Sequence, residues 1–202
     1  MDMGTYFIKD QKRYLSIKKL LDIIFDFSNE LPDQVFRPKF NQYFFIDNAI
    51  AIGGNFWKII QPLASATKDE TIIFSVIDPD PFERFYQKFG YINCGILPIS
   101  FDKYQYYEFL RYNNDYIIGG SNVAVWASPS LKWGIYGDFS LETSILAIRE
   151  DADLDLDLAV DKAWGSLDDA LDIWIPQIFA QSNLIVPKMV EEPLRKNYSK
   201  KI

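Results

Sequence analysis

The chain contains no histidine and a single cysteine in 202 residues. Without histidine there is no Ser-His-Asp or Cys-His nucleophile and no HExxH zinc site. Cys94, alone, excludes an intramolecular disulfide and a cysteine-rich zinc cluster. Set in an apolar stretch between Asn93 and Gly95, it reads as a buried packing residue in a reducing compartment. No run approaches the ~20 apolar residues of a membrane span. Residues 1–10 carry acids where a secretory leader needs bases, so a cytoplasmic protein without membrane contact is expected. Gly53-Gly54 and Gly119-Gly120 lack the further glycines or lysine of a phosphate cradle and read as turns. Carboxylates are plentiful enough for pairwise hydrolysis, but no spacing selects two of them. No enzyme, no cofactor and no metal is therefore the expectation.

What the chain has is concentrated negative charge. Residues 138–172 hold eleven acids and two bases, Arg149 and Lys162, a balance of −9. The whole chain carries −7, so the other 167 residues sum to +2. Such a surface repels nucleic acid and attracts basic proteins. The alternating Asp151, Asp153, Asp155 and Asp157 invite a calcium loop, but its sixth position is Leu156 and its twelfth Lys162, where glycine and glutamate are needed. Alternation with Leu154, Leu156 and Leu158 fits a half-buried extended segment whose acidic side faces water. It fits equally a docking surface for a basic partner, built from Glu150, Asp151, Asp153, Asp155, Asp157 and Asp161.

The periodicities predict an α+β fold. Tyr6 to Ile8 reads as a short strand. A helix capped by Ser16 follows, with Ile17, Leu20, Leu21, Ile24 and Phe25 on one face. Tyr43 to Ile52 reads as a hairpin turning at Asp47-Asn48, and Asn55 opens a helix with Phe56, Trp57, Ile59 and Ile60. Thr71 to Ile77 is a β-branched strand, after which Asp80-Pro81 opens a helix that Gly90 ends. A strand near Tyr91 to Leu97 and a helix from Ser100 come next. Tyr116 to Ile118, Val123 to Ala127, Lys132 to Tyr136 and Thr143 to Ile148 read as strands, the last three as an antiparallel meander with one wet face. Ser166 and Asp169 form a capping box. One domain, residues 1–186, is expected: a C-terminal meander packed with mainly N-terminal helices. Residues 187–202, with Lys188, Arg195, Lys196, Lys200 and Lys201, read as a polar basic tail.

The chain is rich in aromatics, the usual core fillers and interface anchors. Trp126, Trp133 and Tyr136 lie on the meander, where core packing competes with partner contact; Trp133 and Tyr136 are taken as contact candidates. Ser128-Pro129-Ser130 leads to a strand with Trp133 and Tyr136, a polar turn at Asp138, and the aliphatic strand Thr143 to Ile148. That segment resembles a hairpin of bacterial immunity proteins from polymorphic toxin systems. The resemblance implies a stoichiometric inhibitor of one cognate toxin domain, often a nuclease, with no catalytic residues. An accessory protein of a multi-protein or phage-derived assembly and a carboxylate-dependent hydrolase are the alternatives. Oligomeric state is left open.

Overall fold

The computed structural model describes residues 2–112, 120–155 and 159–199. The expected strand at Tyr116 to Ile118, and with it Asp157, Lys200 and Lys201, lie outside the described residues.

The fold is α+β around one antiparallel seven-stranded sheet. Its strands are β1 (Phe7–Ile8), β2 (Phe40–Asp47), β3 (Thr71–Asp78), β4 (Ile92–Pro98), β5 (Val123–Ala127), β6 (Trp133–Asp138) and β7 (Thr143–Arg149), in the order β1-β4-β3-β5-β6-β7-β2. The meander β5-β6-β7 lies inside this sheet, extended by four strands from the first half of the chain.

One residue row crosses the whole sheet: Phe7, Gly95, Phe74, Trp126, Ile135, Leu146 and Phe44 are successive cross-strand partners. All face the same way, because a pleated strand alternates its side chains. The next row, Cys94, Ser75, Val125, Tyr136, Ile145 and Phe45, points to the opposite face. Each row enters its own buried cluster. Helices α3 (Phe56–Ala66) and α5 (Lys103–Leu110), with Ala152, Leu154, Ala159 and Trp164, cover the first face. Helix α1 (Gln11–Ile24), the loop to Phe36 and the C-terminal helices cover the second. Neither face is wet. The strands of the meander read buried at nearly every position, as two-sided coverage requires.

Local chemistry moves several boundaries. Asp10, not Ser16, caps α1, its carboxylate accepting from the Arg13 amide at 2.8 Å. Asp47-Asn48 is not a hairpin turn: the Asp47 carboxylate accepts from the Ala49 amide and opens the short helix α2 (Asn48–Ala51). Asp80 caps as expected, accepting from Phe82 and Glu83, and Gly90 closes α4 (Gln87–Phe89) with a left-handed φ of 71°. Helix α5 starts from Asp102 with a Gln105 capping box, two residues beyond Ser100. At Gly134 a Cβ would stand 2.6 Å from Ile24 and 2.8 Å from Phe25, so its absence lets the end of α1 close on β6.

The expected tail is a correction. Over residues 188–198 it forms helix α8 (Lys188–Tyr198), with Leu194 and Tyr198 buried on the second sheet face. The Tyr198 hydroxyl donates to the Asp33 carbonyl at 2.5 Å and accepts from the Val35 amide at 2.9 Å. Helices α6 (Leu167–Asp169) and α7 (Ile175–Ile178), joined by a π-helical turn at Ala170–Trp174, precede it.

Candidate partner-binding face

Two candidates taken from the meander are not on the surface. Trp133 is 0% exposed and Tyr136 2%. Three positions apart on β6, they enter opposite clusters, and with both faces covered neither can touch a partner. Trp133 Nε1 donates to Thr67 Oγ1 at 3.4 Å, a core contact. Burial pushes the Tyr136 hydroxyl pKa up. The cue was present in sequence: Val123 to Ala127 carries no polar residue, the signature of a strand buried on both sides.

Ser128 and Ser130, at the start of the segment likened to immunity proteins, have a structural task. The carboxylate of Asp69, 8% exposed, accepts from Ser128 Oγ at 2.7 Å, Ser130 Oγ at 2.9 Å and the Ser130 amide at 3.0 Å, and from the Thr67 hydroxyl. This hub ties the end of α3 to the β5–β6 turn. Cys94 is fully buried, and desolvation pushes its thiol pKa up to about 12.

The acids do reach the surface. Glu150, Asp151, Asp153, Asp155 and Asp161 are all exposed. Between them Ala152 is buried and Leu154 half-buried, so these acids face outward, but the expected extended segment is not formed: it belongs to no strand, and Asp153 has a left-handed φ of 48°. Asp138, counted with them in sequence, is 4% exposed and accepts from Ser140 and Leu141 to shape the β6–β7 turn. A hydrogen bond from Arg149 holds the Asp151 carboxyl below the usual carboxylate range. Bonds from the Ser166 amide and hydroxyl do the same for Asp169.

Glu150 and Asp153 lie beside edge strand β2. At its start, Glu150 accepts from Asn41 Nδ2 at 3.1 Å, and its amide donates to Lys39 at 3.0 Å. Further along, Phe45 exchanges two backbone hydrogen bonds with Gly165, at 2.9 and 2.7 Å. Beside that bridge a groove of about 480 Å³ opens, walled by Tyr43, Phe44, Trp164 and Tyr198 and rimmed by Asp168 and Arg195. Arg195 bonds Asp168 at 2.7 Å and Glu191 at 2.8 Å. No spacing in the sequence joined Tyr43 and Phe44 to Asp168 and Arg195; the β2–Gly165 bridge does so, and it is a long-range contact.

Among the described residues no group of three or more acids or thiols is placed to hold a metal ion, and no described helix is long and apolar enough to cross a membrane. Compared with protein-family models, curated proteins and solved structures, the chain matches none.

Proposed function

We propose that this protein is an inhibitory binding protein of the immunity type, which neutralises one basic toxin domain by stoichiometric association in the bacterial cytoplasm. The carrying observation is the set of exposed carboxylates at Glu150, Asp151, Asp153, Asp155 and Asp161, of which Glu150 and Asp153 lie beside the β2 edge. Carboxylates exposed to water make poor acid–base machinery, but they steer a basic partner into encounter. The aromatic groove next to them offers the apolar area that slows dissociation. Trp133 and Tyr136 act only by supporting the fold. A nuclease would suit this surface as partner, since a nucleic-acid-binding site is itself basic.

The test is capture of the tagged protein from its native host, followed by assay of the captured partner. A basic polypeptide recovered in equimolar amount, whose toxicity is abolished at one inhibitor per toxin, supports the reading. Protection in which one molecule disarms many toxins, or capture of an acidic partner, overturns it.

A further inference from the structure

The β2 edge has an open place beside the Gly165 bridge. In an antiparallel ladder, main-chain groups alternate between the two sides of a strand. Phe45 turns its N–H and C=O away from β7 to meet Gly165. Tyr43, two residues earlier, therefore turns its own outward as well. Among the described residues no backbone group meets them there. Tyr43 also walls the groove. Trp164, on the groove wall, is 7% exposed, and its Nε1–H is itself closed off from solvent.

We infer that the groove receives an extended segment of the partner protein, which adds to the sheet at Tyr43 and carries a basic side chain to Asp168. This names the docking site within the inhibitory-binding reading and rests on it. Strand addition takes affinity from main-chain bonds and specificity from alternate side-chain positions. The sequence of contacts follows the site: the outward groups of Tyr43 pair with the incoming backbone, Phe44 and Tyr198 pack its apolar side chains, and its cation lies against Asp168. Arg195 already shows that a guanidinium fits that carboxylate, at 2.7 Å. A second copy of this chain is the disfavoured occupant, because edge-to-edge pairing would bring two acidic rims together.

The probe is a short labelled peptide alternating valine and arginine, titrated into the intact protein by fluorescence anisotropy. Saturable one-to-one binding is expected. Methylating alternate backbone nitrogens, or replacing arginine by glutamate, should each weaken it about tenfold or more by removing hydrogen bonds or charge pairing. Asp168→Asn should weaken it several-fold with an unchanged urea midpoint, since Asp168 is largely exposed. Arg195→Gln should tighten it by freeing Asp168. No saturable binding, or equal binding of the methylated peptide, overturns strand addition; equal binding of the glutamate peptide overturns the charge pairing. A self-dimer in light scattering that excludes the peptide overturns the choice of occupant. The peptide result is separable from host capture: an equimolar basic partner with no peptide binding sinks the groove alone, and peptide binding without such a partner sinks the inhibitor reading alone.

Discussion

Trp133 and Cys94 both sit at 0% exposure, and each has a distinct consequence. Trp133 stacks its bulk into the first-face cluster, so Trp133→Ala leaves a cavity there. The expected loss is about 3–5 kcal/mol of stability, read by urea unfolding. Association per folded molecule should not change, because no partner reaches the indole. A slower association with unchanged stability would contradict that placement. The Cys94 thiol, with its pKa pushed up to about 12, is almost wholly protonated at neutral pH and shut off from solvent. A bulky thiol reagent should modify it only as fast as the protein unfolds, as measured by mass spectrometry across a denaturant series. Modification within seconds in native buffer would place it elsewhere.

Among the elements, α8 has the most to add to what the sequence displayed. Val190, Leu194 and Tyr198 are four residues apart, a helical stripe that packs on the second sheet face. The charges of Lys188, Arg195 and Lys196 on the outward side masked it in a reading by composition. Leu194→Ala should cost about 2–5 kcal/mol and lower the thermal midpoint, measured by circular dichroism, where a solvated tail would give no change. Strands β3 and β5 to β7 and helix α3 were legible, because β-branched runs and a helical stripe are local signals. The Asp47-Asn48 turn was misread because an aspartate before asparagine opens a helix as readily as it turns a hairpin. Of the candidate site, the exposure of the acids was readable from their alternation with Leu154, while Leu156 and Leu158 lie outside the described residues. The groove was not, since Tyr43 and Trp164 meet only through a bridge between distant strand and loop.

At the scale of the molecule, charge decides encounter. Replacing Asp151, Asp153 and Asp155 by Asn should leave the fold intact and slow association with a basic partner about tenfold at low ionic strength, measured by stopped flow. The difference should shrink toward physiological salt, where the Debye length is ~8 Å. An unchanged rate would reduce this segment to a solubilising surface. The pH profile follows from the same inventory. With no histidine, side-chain charge is nearly constant from pH 5.5 to about 7.5, so the rate at fixed salt should be flat there. Asp151 and Asp169 have folded pKa values below the usual carboxylate range. Their contacts therefore stabilise the fold fully at neutral pH, and that contribution fades as acid carries the pH from the ordinary carboxylate range down through their lowered values. Both steering and stability should fall together below about pH 4.

The division of the core between two sheet faces also sorts the tryptophans. Trp57, Trp126, Trp133 and Trp164 all belong to the first-face cluster, while Trp174 packs against the second, its indole nitrogen donating to Thr143 at 3.2 Å. The molecule is in effect labelled optically on one side. Its intrinsic emission reports mostly the layer under α3 and α5, and the loosening of α1 or α8 passes nearly unseen unless Trp174 is resolved. Trp174→Phe would leave a spectrum belonging to one layer, and the difference from the parent would belong to the other. Two probes of one unfolding event are thereby built into the chain, and whether their midpoints coincide tells whether the sheet comes apart as one cooperative unit or sheds its second layer first.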